Sequence, residues 1–329
     1  MKINLKKNVI IFAVLACLLI LASFFDLQIS KKIADLKEGQ YISSNLFGRF
    51  FETIGSTPVY LVSAFALAVI FHNINRRERT VSKIIIKDLI VVVSVGLLTY
   101  MAKQVYGYIA DHFAFKHKLG AITDWIAYLL MGGILTFAFI WLTRKLSSEF
   151  LNNALAWAFI IILTALFSQI ITQGVKSFWG RARFRTMNAI GDFSLYSDWF
   201  KFVPKRKPDD MMLILGVASD GFKSFPSGHA SSSAILIALT ALPQIIPALN
   251  NKKYKIILNV SVFTFIALAM FARILVGAHF LSDVSLGAII TFACYLVATL
   301  IINKILSKHQ IKPLKAGKLN YRLQEESIG

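Results

Sequence analysis

The chain has 329 residues, 56% of them hydrophobic and only 16% charged, with a mean hydropathy of +0.63. Soluble domains carry about 45–50% apolar and ~25% charged residues, so the composition excludes an ordinary soluble globule and indicates a membrane protein. Thirty-six Lys and Arg against 17 acids give a formal charge of +19, a balance that points to nucleic acid or another polyanion unless topology accounts for it.

A helix rising ~1.5 Å per residue must cross ~30 Å of hydrocarbon. That length predicts about eight spans, at 8–25, 57–72, 84–102, 125–143, 154–172, 229–248, 256–276 and 281–303. The second is short and the third admits Lys87 and Asp88 at one end, so the count is seven or eight. The first follows Lys2, Lys6 and Lys7 but ends in Ala-Ser-Phe-Phe-Asp without a small-x-small cleavage pattern, which makes it an uncleaved anchor. Cys17 and Cys294 sit in apolar runs and read as packed or lipid-facing side chains. The expected fold class is all-α, a polytopic membrane helix bundle.

Orientation follows from the basic residues. With a cytoplasmic N-terminus and eight crossings, the inside segments hold 19 Lys/Arg and 5 acids, and the outside segments 17 and 12. The net of +14 inside against +5 outside is the positive-inside asymmetry and places both termini in the cytoplasm of a cell-membrane protein. Clusters such as Arg76-Arg77-Glu78-Arg79 and Lys252-Lys253 are accounted for by topology and by anionic headgroups, and no nucleic-acid partner is needed.

One outside stretch departs from this rule. Residues 173–228 carry nine Lys/Arg, and three clusters fall on the same face: Lys176 to Arg183 after the fifth span, Phe225-Pro-Ser-Gly-His229 before the sixth, and Arg273 to Asp283 between the seventh and eighth. Lys176, Arg183 and Arg273 supply positive charge suited to phosphate oxygens. Pro226 suits the first position of a helix, which would leave the Ser227 and Gly228 amides free at a helix N-terminus for an anion. His279 and Asp283, four apart, can meet on one helix face. The carboxylate would fix the tautomer and raise the basicity of a nucleophilic imidazole. His229 would then donate a proton to the leaving alkoxide.

The order Lys-x6-Arg, Pro-Ser-Gly-His and Arg-x5-His-x3-Asp resembles the type 2 phosphatidic acid phosphatase superfamily, the integral-membrane lipid phosphate phosphatases that share a core with vanadium haloperoxidases. Two positions depart from the usual motifs: Phe184 replaces Pro after the first, and Ala272 replaces Ser before the third. The resemblance implies that His279 forms a phosphohistidine oriented by Asp283. It also implies that His229 protonates the leaving group and activates water, and that Lys176, Arg183, Ser227, Gly228 and Arg273 hold the phosphoryl oxygens. No metal or cofactor is expected; the sequence shows no carboxylate cluster or His-x-x-x-His pair facing the site. Arg181 and Arg185 flank the first motif and are assigned to a second phosphate.

Members of that family usually have about six spans, with the first motif after the third, so an extra helical hairpin is expected over 84–143. The N-terminal region 1–153 also holds a segment, 26–57, read as short interfacial helices beside the site. The catalytic region is 154–303, with an external cap over 184–225, and 304–329 is a basic cytoplasmic tail. The expected activity is metal-independent hydrolysis of a membrane lipid phosphate or diphosphate on the extracytoplasmic face. An isoprenyl diphosphate, phosphatidylglycerophosphate or phosphatidic acid would be the substrate. A lipid phosphoryl transferase is the alternative; an anion transporter is disfavoured because the charges cluster at helix ends.

Overall fold

Eleven α-helices dominate the computed structural model, which describes residues 5–74, 80–113 and 121–310, and no named strand occurs among them. They are α1 (Leu5–Ile33), α2 (Leu46–Ile54), α3 (Thr57–Asn73), α4 (Val81–Phe113), α5 (Ala121–Arg144), α6 (Ser148–Phe178), α7 (Phe184–Ile190), α8 (Asp210–Ile214), α9 (Gly228–Ala234), α10 (Lys252–Leu275) and α11 (Leu281–Gln310). Lys2, the Arg76-Arg77-Glu78-Arg79 cluster and the tail beyond Gln310 lie outside the described residues. Among the described residues, seven stretches are long and apolar enough to cross a membrane, α2 and α3 together forming one of them. The protein is a multi-pass, all-α helix bundle.

The expected span 229–248 takes a different form. Seven α-helical residues in α9 pass into a ten-residue 3₁₀ helix, Ile235–Gln244. At ~1.5 Å per α residue and ~2.0 Å per 3₁₀ residue, these reach roughly 30 Å, so a stretched short segment covers the distance of a longer α-helix. Trp157 of α6 donates its indole N–H to the Ala238 carbonyl at 2.8 Å, binding this segment to the bundle core.

The sequence Gly-His-Ala-Ser-Ser-Ser-Ala explains why α9 sits at the centre. Its small side chains let neighbouring backbones approach, the device by which membrane helices gain packing without a hydrophobic driving force. Gly287 of α11 is required at this contact, since a Cβ there would lie 2.4 Å from the Ser227 carbonyl oxygen. Hydroxyls complete the seam: Thr172 of α6 donates to Ser231, Ser231 meets Thr291 of α11 at 2.8 Å, and Thr291 donates to the Ser231 carbonyl.

Two boundaries differ from expectation. α1 continues through Ile33, so Asp26 lies inside a helix, where Arg181 and Ser282 satisfy its carboxylate. Only α2 within 26–57 is a separate short helix, capped by Asn45, whose side chain accepts from the Gly48 amide. The cap 184–225 is ordered, with α7, a 3₁₀ turn at Phe193–Leu195 and α8. It is tied down by Asn188, which donates to the Lys37 and Gln40 carbonyls.

Candidate active site

Each motif occupies the end of a helix, where backbone groups and charged side chains are available to a ligand. Lys176 lies in the last turn of α6, Arg273 in the last turn of α10, and Asp283 in the first turn of α11. Helix α9 begins at Gly228, with Ser227 as its N-cap. Pro226 therefore precedes the cap and does not occupy the first helical position. The Ser227 amide is also not free, because it donates to the Asp283 carbonyl at 2.9 Å. The open amides at this helix end thus start with Gly228. A Cβ on Gly228 would meet only the Gln173 side chain, at 3.6 Å.

Asp283 is the hub behind the nucleophile candidate. Its Oδ1 accepts from Arg181 at 2.6 Å, and its Oδ2 accepts from the Ser224 hydroxyl at 2.5 Å and the Phe280 amide at 2.8 Å. His279 Nδ1 lies 3.6 Å from the same Oδ2. That separation orients the ring through charge more than through a formed hydrogen bond. With Nδ1 facing Asp283, Nε2 is the nitrogen left for attack. Burial pushes the His279 imidazole well below its ordinary value, Asp283 opposes this, and Lys176, Arg273 and Arg183 reinforce it. The ring is consequently held neutral, as a nucleophile requires.

His229 is fixed by residues from the first half of the chain. Its Nε2 lies 2.9 Å from the Glu52 carbonyl oxygen. A carbonyl only accepts, so Nε2 carries the hydrogen and Nδ1 is the nitrogen available for proton transfer. Gly55 makes room, because a Cβ there would lie 3.3 Å from the His229 ring. Tyr108 of α4 closes the flank, its ring edge-on to His229 with centroids 5.6 Å apart.

The arginines divide into two groups. Arg183 pairs with Asp220 at 2.6 Å. Burial raises that carboxyl, but Arg183, Arg185, Lys176 and Arg273 outweigh it and hold the group at about 2. Arg273 and Arg185 both meet Glu52 Oε1, at 2.9 and 3.2 Å, and Arg185 also stacks on Tyr41. Arg181 faces away from this cradle. It is fully enclosed and donates to Asp26, Ser282, Asp283 and the Ser197 carbonyl, with the Phe280 ring against its guanidinium. The expected pairing of Arg181 with a second phosphate is corrected accordingly, since its donors are spent inside the protein. Arg185 stays beside the cradle.

Four buried guanidinium nitrogens at this place lack a hydrogen-bond partner, Nε of Arg183, Nε of Arg185, and Nε and Nη1 of Arg273, while the unbonded Nδ1 of His279 is turned to Asp283. The Arg273–Glu52 contact is thus an ion pair by distance without hydrogen-bond alignment. Buried donors are normally satisfied, and a concentration of open ones marks a site that awaits an acceptor-rich ligand. Among the described residues, no group of three or more His, Cys, Asp or Glu is placed to hold a metal.

Glu52, Tyr108, Asp220 and Asp26 were not among the residues singled out by the sequence motifs. Glu52 carried one usable signal, as the single acid in a nine-residue, largely apolar helix whose one other charge is Arg49. Such a group at membrane depth calls for a partner. Phe184 and Ala272, the two motif departures, are both core residues. Phe184 packs with Ala182, Met187, Phe222 and Phe280, and Ala272 with Phe51 and Ala269.

The fold is that of a multi-pass helix bundle, with basic side chains and two buried histidines gathered at its helix ends. Residues 155–307 match the PAP2 superfamily model, and the chain carries a PAP2-superfamily domain. Members of that superfamily are phosphatases, which supports an activity of phosphatase type, that of a hydrolase. No curated protein and no solved structure matches the chain.

Proposed function

We propose that the protein hydrolyses a membrane lipid phosphate or diphosphate through a phosphohistidine, without a metal ion. The observation that carries this reading is the set of buried guanidinium nitrogens on Arg183, Arg185 and Arg273 that have no hydrogen-bond partner. His279 Nε2 attacks phosphorus, the bond from phosphorus to the lipid oxygen breaks, and His229, which enters this step as the imidazolium beside the anionic phosphate, gives its Nδ1 proton to that oxygen and is left neutral with its hydrogen on Nε2. His229 then takes a proton from water, whose oxygen attacks phosphorus as the N–P bond breaks, releasing phosphate and restoring His279. Lys176, Arg183, Arg273, the Ser227 cap and the Gly228 amide hold the phosphoryl oxygens while charge develops, an effect worth ~3–4 kcal/mol per well-placed donor.

The substrate class is an isoprenyl diphosphate, a phosphatidylglycerophosphate or a phosphatidic acid. The membrane setting favours a lipid. So does the exposed strip of the cap, where Phe200, Phe202, Met211 and Ile214 flank Lys205-Arg206-Lys207, a composition suited to the headgroup boundary. In the proposed orientation both termini are cytoplasmic and the site faces outward. A cysteine placed at Lys207 should therefore react with an impermeant thiol reagent in intact cells.

Phosphate release from the purified protein is the test. Activity that persists in chelator and disappears in His279→Ala, with phosphate trapped on His279 in the wild type, supports the mechanism. Dependence on added divalent metal contradicts it. Transfer of the label to an acceptor lipid alcohol instead of water would identify the transferase alternative.

A further inference from the structure

A second polar chamber lies at the end of the bundle opposite the cradle. Where the 3₁₀ segment ends, α1, α10 and α11 enclose a cavity of about 1130 Å³. Lys7, Asn8, Gln244, Lys255, Asn259 and Asn303 stand in its walls, and among the described residues no Asp or Glu lines it. Two ammonium groups and several amides without a carboxylate form a donor set for an anion. The rest of the wall includes Leu296 and Leu306, and the flanking α1 exposes Val9 and Ile10, so the chamber offers charge and hydrocarbon contact side by side.

Asn259 adds a directional feature. Its Nδ2 donates to the Lys255 carbonyl at 2.6 Å, while its Oδ1 is enclosed with no hydrogen-bond partner. A buried acceptor beside two cations fits an anion that brings its own donor. Free phosphate as a dianion lacks the apolar part that would fill the leucine-lined wall, whereas a phospholipid headgroup supplies phosphate, hydroxyl and acyl chains together.

We propose that this chamber binds the headgroup of an anionic phospholipid from the leaflet at that end, with its phosphate between Lys7 and Lys255 and a headgroup hydroxyl toward Asn259 Oδ1. None of the residues in the catalytic cradle lines the chamber, so the site is separate from the phosphatase centre. Lys252 and Lys253 are exposed at the same end but do not line it, and they serve as the matched control.

The test uses the full-length protein in phosphatidylcholine nanodiscs titrated with phosphatidylglycerol, with retained lipid read by native mass spectrometry. One phosphatidylglycerol should be retained by the wild type. The Lys7→Gln/Lys255→Gln double variant should bind it roughly thirtyfold more weakly, while Lys252→Gln/Lys253→Gln and the charge-keeping Lys7→Arg/Lys255→Arg hold it. Phosphate release by every variant reports that the fold is intact. Equal loss in the two Gln variants would show general surface attraction and overturn the proposal. So would equal retention of phosphatidylcholine, or displacement of the lipid by inorganic phosphate alone.

Discussion

Arg181 Nη1 lies 2.6 Å from Asp283 Oδ1, and neither side chain is exposed. The carboxylate that faces His279 is thus anchored from behind by a guanidinium two residues from Arg183, and that guanidinium also grips Asp26 of α1.

Removing one member of a buried ion pair leaves the partner charge unpaired, at a cost of about 3–5 kcal/mol. Arg181→Ala should therefore lower the thermal midpoint in detergent sharply and abolish turnover of mono- and diphosphate lipids alike. Arg181→Lys should recover little, because one ammonium cannot reach Asp26, Ser282, Asp283 and the Ser197 carbonyl together. A variant with wild-type stability that loses only diphosphate turnover would return Arg181 to a substrate role.

Glu52 is the shared counter-ion of Arg185 and Arg273. Hydrogen bonds to charged groups contribute ~1.5–3 kcal/mol, so Glu52→Gln should cut kcat/KM roughly 10- to 100-fold. His229 should keep its anchor in this variant, since that bond goes to the Glu52 backbone. Steady-state kinetics alongside the thermal midpoint separates lost positioning from lost folding; unchanged kinetics would place Glu52 outside the working cradle.

Tyr108 packs edge-on against His229, and its hydroxyl lies within electrostatic reach of Arg273, Glu52, Arg183 and Arg185. Aromatic pairs of this kind contribute ~0.5–1.5 kcal/mol. Tyr108→Ala should accordingly lower kcat/KM about three- to tenfold, and Tyr108→Phe should stay close to wild type. If Phe is as damaging as Ala, the hydroxyl and not the ring is the working part.

The pH response has a defined sign. Burial lowers the folded-state value of His279 below 6.5, so between the two values the unfolded chain binds more protons than the native one. Stability is then full above 6.5 and lost as the pH falls. Asp220, held at about 2 against an ordinary 3.8, adds a further loss at stronger acidity. Calorimetry should find a thermal midpoint that is flat from pH 8 to 7 and declines below 6.5 (test range set by the ordinary His value), with the first part of the decline reduced in His279→Gln. A midpoint that rises on acidification contradicts this.

The long apolar runs and the three motif clusters were readable because each is written in consecutive residues. The 3₁₀ crossing was not, since hydropathy reports what a segment is made of and not its rise per residue. Arg181, Arg183 and Arg185 illustrate a second limit. Three like residues in five positions carry the same local signal, and only their tertiary partners separate the structural anchor from the two cradle groups. Asp26, Glu52 and Tyr108 lie in elements far along the chain from the motifs, so no spacing rule connects them to the site.

Those three residues also bear on what the matched region can do by itself. Asp26 holds Arg181, Glu52 holds Arg273 and His229, and Tyr108 covers the His229 ring, yet all three precede residue 155. A fragment cut at the boundary of the PAP2-type domain would keep every motif residue and still leave Arg185 and Arg273 without Glu52, Arg181 with one carboxylate in place of two, and an unsupported imidazole. The catalytic unit is therefore larger than the homology unit, and the helices before it are components of the enzyme's machinery as much as of its anchorage.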